Sequence, residues 1–238
     1  MLRRYISSPL PLIILLLLVT SVMNGRYASI GDWFLNTLYM IPGVIIALSF
    51  HEFGHAFVAV KCGDPTPRNQ GRLTVNPAAH VDPIGLACLV FVGFGWGVPV
   101  QINPRNFRHP RRDELMVSLA GVAMNFLLAV VFMGITRLAF SFGGAFMLTA
   151  VGDIVRMILL YTVQINIVLL VFNLIPVPPL DGFGIITQLF NLRNTKYYWF
   201  VYNNGFWILL ALIVFNITDV ILSPLVAIIY NFILGIFF

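Results

Sequence analysis

Long apolar runs alternate with short polar segments along the chain, and this pattern predicts helices that cross a membrane. A span needs about 20 predominantly apolar residues. Six stretches approach or exceed that length, namely residues 9–24, 38–61, 113–140, 148–173, 198–217 and 220–238. We therefore expect an all-α polytopic membrane protein with about six transmembrane helices, built as a single integral membrane domain over residues 1–238.

A further apolar stretch, residues 84–100, is too rich in helix-weakening residues to be a plain span. Four glycines and Pro99 interrupt it, and such residues destabilise a helix interior. We predict a re-entrant or interfacial hairpin here, because non-helical backbone at membrane depth must be buried in protein or line a wet cavity.

Two short strands are predicted beside this hairpin, at residues 72–75 and 98–102, where apolar and polar positions alternate. Together they would form a small β element. The strands could present an edge to an extended peptide, or they could merely tether a loop.

Composition agrees with a membrane protein and excludes several other classes. Hydrophobic residues make up 59% of the chain and charged residues only 10%, whereas soluble domains carry about 25% charged residues. The basic residues behind the net charge of +5 are scattered between the apolar runs, so nucleic-acid binding is not indicated. The two cysteines, Cys62 and Cys88, lack the spacing of a thiolate zinc site or a disulfide framework.

The distribution of Lys and Arg predicts the orientation. With the N-terminus in the cytosol, most basic residues fall on the cytosolic side, as the positive-inside rule requires. The N-terminal apolar run could pass for a signal peptide, but it lacks a good cleavage site and we expect a retained first helix. The expected location is the cell membrane, as a multi-pass protein.

The segment His51-Glu52-Phe53-Gly54-His55 places three ionisable residues inside one of the apolar runs. Positions i and i+4 share one face of a helix, so both imidazoles could bind one metal while Glu52 acts on a nearby water. Ionisable residues inside a membrane are costly and usually functional. The alternative is a pair of core histidines satisfied by the backbone.

Asp181 is the best candidate for a third ligand. A catalytic zinc site uses three protein ligands and keeps one position open. Asp181 follows a long apolar run and three prolines, Pro176, Pro178 and Pro179, which would unwind a helix and direct the carboxylate inward. The alternative role is an N-cap of the following helix.

These motifs together resemble the site-2 protease family of intramembrane zinc metalloproteases, in its compact prokaryotic branch without PDZ or CBS domains. The motif His51–His55 is followed by a G-x-x-x-N pattern and then by N-x-x-P-x-x-x-L-D-G, in the order of that family. The likeness covers roughly residues 38–192, the expected core, with an N-terminal helix at 9–24 and C-terminal helices within 198–238.

The resemblance implies a set of roles. One Zn²⁺ per chain would be held by His51, His55 and Asp181, with Glu52 as the catalytic base. Three further residues are expected to position substrate or to pack beside the site, namely Gly121, Asn125 and Asn173. The implied reaction is hydrolysis of peptide bonds in or near transmembrane segments, with single-span or signal-peptide-like membrane proteins as substrates. The site is expected toward the cytosolic side.

Two other functions remain open from the residues alone. A metal transporter would need polar residues across the whole bilayer, whereas these cluster at one depth. An inactive substrate-binding scaffold would be expected to lose a ligand or the base. His80 could occupy the fourth metal position, bind substrate, or be a solvated loop residue. The basic residues between the hairpin and the next span are expected to set the topology and contact anionic lipids; they are Arg105, Arg108, Arg111 and Arg112.

Overall fold

A computed structural model describes residues 29–92 and 95–238, and over these ranges the chain is helical with no β-sheet. Helices of 3₁₀ type at Pro77–Ala79, Pro104–Asn106 and Leu192–Asn194 connect some of the α-helices. The α-helices are α1 (Ile30–Lys61), α2 (Thr66–Asn69), α3 (Pro83–Val92), α4 (Pro110–Phe142), α5 (Gly144–Met147), α6 (Ala150–Asn173), α7 (Asp181–Leu189), α8 (Lys196–Val214) and α9 (Ile217–Phe237).

Within the described ranges, five helices are long and apolar enough to cross a membrane: α1, α4, α6, α8 and α9. They lie where five of the six spans were predicted, and the predicted span at 9–24 falls outside the described residues. The helix α1 begins at Ile30 rather than at residue 38. Its first turn is capped by the Ser29 hydroxyl, which accepts the Asp32 amide at 3.0 Å, so polar residues that suggested a loop belong to the helix.

Three of these helices, α1, α4 and α6, form the core that carries the candidate site. Small residues let their backbones approach closely. A Cβ on Gly43 of α1 would lie only 2.9 Å from Cα of Thr162 in α6. Further along, Ala47 on α1 and Ala129 on α4 are fully buried. Close approach of this kind favours packing between membrane helices.

The stretch predicted as a hairpin does return on itself. The helix α3 has 10 residues, about 15 Å of rise, which is too short for a span. Its two flanks meet, because the Val98 amide donates to the His80 carbonyl at 2.7 Å and Val81 forms an antiparallel bridge with Gly97. The Trp96 indole also donates to Asp82 at 2.8 Å. The segment therefore enters and leaves at the same place on the bundle.

The two predicted strands are wrong. Residues 73–74 form a bend, residues 72 and 75 have no regular structure, and residues 98–102 run without a strand partner. The small β element is therefore reduced, among the described residues, to the single bridge at Val81. Side chains contact backbone carbonyls that would have formed hydrogen bonds in a sheet. The Arg72 guanidinium donates to the Ala79 carbonyl, and the Thr74 carbonyl contacts the His80 ring at 2.8 Å.

Candidate metal centre

His51, His55 and Asp181 come together at one point in the bundle. The two histidines are one turn apart on α1, and their Nε2 atoms are 3.0 Å from each other. One carboxylate oxygen of Asp181 lies 3.3 Å from Nε2 of His51, and the other lies 3.4 Å from Nε2 of His55. A potential ligand atom from each residue lies within 4.8 Å of the other two.

Asp181 reaches the histidines because α6 ends at Asn173 and the proline-containing turn redirects the chain. Asp181 is the first residue of α7, Leu180 holds the cap position, and no side chain caps this helix. The capping alternative therefore finds no support in its contacts. Gly182 lets α7 begin tightly against the preceding turn, since a Cβ there would collide with the Leu174 carbonyl.

Oxygen atoms on α4 orient both imidazole rings. Nδ1 of His51 is 2.6 Å from Oδ1 of Asn125, and Nδ1 of His55 is 2.8 Å from the carbonyl oxygen of Val117. Because both partners are acceptors, each Nδ1 carries the ring proton, and each Nε2 presents its lone pair toward Asp181. Outer contacts of this kind fix the tautomer and orientation of metal-binding histidines.

Asn125 lies behind His51 rather than in the cavity. It is fully buried, and its amide nitrogen donates to the Ala47 carbonyl at 3.3 Å and to Asn166 at 3.0 Å. Asn166 in turn donates to the Thr162 carbonyl at 2.8 Å. Asn125 therefore makes polar contacts beside the site: it touches a histidine and ties α1, α4 and α6 together.

Gly121 forms the floor beneath the two histidine rings. A Cβ at this position would lie 2.5 Å from both Cε1 of His51 and Nε2 of His55, closer than any real contact. The glycine therefore makes space for the rings and packs beside the site.

Glu52 stands at the wall of a cavity of about 220 Å³ next to the three candidate ligands. Its Oε2 accepts the backbone amide of Val100 at 2.8 Å, so the returning limb of the hairpin lies directly over the site. Asn173 also lines the cavity, and its Nδ2 donates to the Leu169 carbonyl at 2.9 Å. The other lining residues are Pro99, Ile102, Val117, Ser118 and Pro179.

His80 does not join the site. Its side chain is completely buried, so the expectation of a solvated loop residue is wrong. Nε2 contacts the Thr74 carbonyl at 2.8 Å, and the residue does not belong to the group around Asp181. Its backbone carbonyl holds the hairpin through Val98.

The chemistry of the three side chains fits a metal ion. Oδ2 of Asp181 is buried without a hydrogen-bond donor and lies 3.3 Å from Nε2 of His51, while Oδ1 lies 3.4 Å from Nε2 of His55. Ring nitrogens and carboxylate oxygens that converge this closely need a cation among them, either a proton or a metal ion. Two imidazoles and one carboxylate are a donor set of catalytic zinc sites.

Comparison with known proteins agrees with this chemistry. The model of peptidase family M50 matches residues 141–215. A protein of Bacillus subtilis named "Putative zinc metalloprotease YwhC" is 40% identical over 151 residues, covering 63% of this chain and 68% of the relative. The chain belongs to peptidase family M50. That family is the site-2 protease family. As a member of it, this chain is a multi-pass membrane protein of the metallopeptidase class.

Other M50-related proteins are similar over comparable lengths. "Putative zinc metalloprotease Rip2" of Mycolicibacterium smegmatis is 30% identical over 199 residues, covering 79% of this chain and 73% of the relative. The protein of the same name from Mycobacterium tuberculosis is 33% identical over 151 residues, covering 61% and 54%. No solved structure matches the chain significantly.

Several contacts of this M50 site were not predicted from the sequence. The Val117 carbonyl and the Val100 amide are backbone groups, which leave no signature in the residue type. Asn166 is a polar residue in an apolar run, and its spacing of seven from Asn173 could have indicated a shared helix face.

Proposed function

We propose that this M50 protein is an intramembrane zinc protease that performs regulated intramembrane proteolysis. Its substrates are single-span or signal-peptide-like membrane proteins, cut in or near their transmembrane segments. One observation carries the proposal: His51, His55 and Asp181 converge beside the Glu52 carboxylate at one cavity, within a bundle apolar enough to lie in a membrane.

In this proposal each residue at the cavity has a defined task. His51, His55 and Asp181 hold one zinc ion, which when bound would polarise the peptide carbonyl and acidify water. Glu52 accepts the proton of the attacking water and passes it to the departing amide nitrogen. Its Oε1 is available for this transfer, since the Val100 amide is held by Oε2. Asn173 contacts the substrate from the cavity wall.

The depth of the site supports access for water. His55 lies six residues before the end of α1 at Lys61, which corresponds to about 9 Å along the helix. Under the orientation proposed from the basic residues, this end of α1 faces the cytosol. Water could then reach the cavity from that side, as hydrolysis requires.

A metal transporter is the competing function, and the contacts behind His51 argue against it. Transport needs a hydrated path that continues from the site across the bundle. The polar side chains beyond His51, Asn125 and Asn166, are fully buried and bonded to each other. They act as internal links between helices.

The proposal is tested with purified protein in liposomes that also contain tagged single-span substrates. We expect zinc-dependent cleavage, and we expect Glu52→Gln to abolish it while zinc content stays at the level of the unmodified protein. The metal ligands survive in that variant, and only the proton acceptor is lost. Zinc accumulation inside the liposomes without cleavage would favour transport, and substantial cleavage by Glu52→Gln would remove Glu52 from the role of base.

The physiological substrates can then be found by comparing membrane proteomes. Cells that carry Glu52→Gln should accumulate uncut single-span proteins relative to cells with the unmodified protein. A matching control is Glu114→Gln, because Glu114 pairs with Arg193 on the surface at 2.7 Å and does not line the cavity.

A further inference from the structure

Ser118 on α4 lines the cavity of the candidate metal centre, and it is the only residue with a hydroxyl group among the described residues that do so. Its neighbour Val117 holds the His55 ring through its carbonyl oxygen. Gly121, which lies beneath both histidine rings, is three residues further along α4. Residues three apart lie on one face of a helix, so Ser118 belongs to the face of α4 that carries the metal centre.

The Ser118 hydroxyl is not used inside the bundle. The Thr136 and Thr162 hydroxyls each donate to the carbonyl four residues earlier in the same helix, at 2.8 and 2.7 Å, a common way to satisfy a hydroxyl within a helix. Over the described part of the chain, the Ser118 hydroxyl makes neither this bond nor another. The Ser49 hydroxyl on α1 also lacks a partner but is enclosed, whereas Ser118 is only partly buried. The hydrogen of the Ser118 hydroxyl is therefore free for a ligand in the cavity.

Gly184 on α7 makes room for this hydroxyl. A Cβ on Gly184 would lie 2.5 Å from Oγ of Ser118 and 3.3 Å from its Cβ. Gly184 comes one turn after Asp181 on α7, just as Ser118 comes one turn before Gly121 on α4. The packing of the two helices thus places the hydroxyl about 5 Å along α4 from the metal centre, and a larger side chain at position 184 would displace it.

A peptide bound in this cavity would need hydrogen-bond donors for its carbonyl oxygens. A membrane helix that unwinds for cleavage loses its internal hydrogen bonds, and no lipid group replaces them. The cavity wall offers few backbone donors. Pro99 and Pro179 have no N–H group, and the Val100 amide is already bound to Glu52. The free hydroxyl of Ser118 is suited to one of the exposed carbonyls.

We propose that the Ser118 hydroxyl donates a hydrogen bond to a backbone carbonyl of the substrate, within two residues of the bond that is cut. This inference rests on the proposed protease function. An extended chain rises about 3.3 Å per residue, so the distance of about 5 Å along α4 corresponds to one or two residues. Because the contact is to the backbone, it should contribute similarly to substrates of different sequence.

The first test is the kinetics of cleavage of a tagged single-span protein by Ser118→Ala in liposomes. We expect KM to rise about fivefold, as for loss of one neutral hydrogen bond. The kcat should stay within about twofold, because the contact is made equally before and during the reaction. Zinc content should not change. The control is Ser141→Ala, since Ser141 is an exposed serine at the other end of α4 and should leave KM unchanged.

A double-mutant cycle tests whether the hydroxyl is the group that matters. Gly184→Ala should raise KM as much as Ser118→Ala does, because the new methyl group displaces the hydroxyl. In the Ser118→Ala background the same change should add less than about twofold, since no hydroxyl remains to be displaced. Fully additive effects, or a fall in kcat or zinc content with KM unchanged in Ser118→Ala, would overturn the proposed contact. If Gly184→Ala does not fold, the kinetics of Ser118→Ala decide.

Binding measured without cleavage separates this contact from the protease function. In the Glu52→Gln background, adding Ser118→Ala should weaken the Kd for the same tagged protein about fivefold. Weaker binding without any cleavage by the unmodified protein would contradict the protease function but support the contact. Cleavage by the unmodified protein, with KM and Kd both unaffected by Ser118→Ala, would overturn the contact and leave the protease function in place.

Discussion

Gly121 is the residue at which the metal centre has the least room. Replacing it with Ala would place a Cβ 2.5 Å from both histidine rings, so at least one ring must turn away. We expect Gly121→Ala to lose most of its zinc and activity, and to lose about 1–3 kcal/mol of stability from overpacking. Zinc per protein, measured by plasma mass spectrometry, checks this.

A matched control is available in α9. Gly235→Ala places its new Cβ where nothing lies within 4 Å, so zinc content should not change. Full zinc occupancy in Gly121→Ala would show that both histidine rings can accommodate the added methyl group. The proposed role of Gly121 in making space for the rings would then be wrong.

Replacing Asp181 tests whether this residue is a metal ligand or a helix cap. We expect Asp181→Ala to lower zinc occupancy as well as cleavage, because only two protein ligands remain. A cap alone would cost about 1 kcal/mol of stability and leave the zinc content unchanged. Asp153→Ala provides the comparison, since Asp153 lies in the first turn of α6 and pairs with Arg156 on the surface.

At the scale of elements, Asp64 joins the end of α1 to the loop that leads into α4. Its Oδ1 accepts the Thr66 hydroxyl at 2.6 Å and the Asn106 amide at 2.8 Å, and its Oδ2 accepts the Asn103 backbone amide at 2.7 Å. Burial raises the pKa of this carboxyl, but the hydrogen bonds from Thr66, Asn103 and Asn106 outweigh burial and hold the pKa below its usual value.

The direction of that pKa shift predicts how stability depends on pH. Because the pKa of Asp64 is lower in the folded chain, its stabilisation is fully present above about pH 4, the unfolded value. The stabilisation is lost as the pH falls through the folded value. Asp64→Asn should therefore be about 2 kcal/mol less stable at pH 7 and decline less steeply in acid. Thermal unfolding in detergent at several pH values checks this.

A control separates this effect from general acid denaturation. Asp153→Asn, on the exposed first turn of α6, should show the same pH profile as the unmodified protein. If Asp64→Asn also followed the unmodified profile, the contacts of Asp64 would not be the source of the acid sensitivity.

Some secondary-structure elements could be predicted from the sequence and others could not. Hydropathy located five spans because a membrane helix must be apolar along its length, and the glycines of 84–100 identified the hairpin. The strand predicted at 72–75 does not form, and the local sequence could not have shown this. The Arg72 and His80 side chains bond backbone carbonyls in this region, and these contacts exist only in the folded chain.

The candidate site was also predicted only in part. The spacing of His51 and His55 and the proline break before Asp181 identified the three side chains, because both features are local. Asn125 and Gly121 were located near the site, but their tasks depend on how α4 faces α1. That arrangement is set by packing between distant segments, which one sequence does not display.

At the scale of the whole molecule, the hairpin decides which side of the membrane each loop faces. Its flanks meet through Val81 and Gly97, so the segments before and after it should face the same side. We expect single cysteines at Gln70 and His109 to react with an impermeant thiol reagent only after cells are opened. Cys62 and Cys88 are replaced beforehand in this experiment.

A third position gives the opposite result. A cysteine at Gly144, between α4 and α6, should be labelled in intact cells, because in the proposed orientation α4 crosses from the cytosolic side. No atom lies within 4 Å of its Cβ position. Labelling of only one of positions 70 and 109 from outside would mean that residues 84–100 cross the membrane. The proposed orientation would then be wrong.

The hydrogen bonds from His51 through Asn125 to Asn166 run across three helices in sequence. The ring angle of His51 therefore depends on the spacing of the whole bundle. A detergent that spreads α4 from α1 would remove the Asn125 oxygen behind His51 while every helix remained intact. During solubilisation, zinc would dissociate before circular dichroism detected any change, so a purified sample could be fully helical and still inactive.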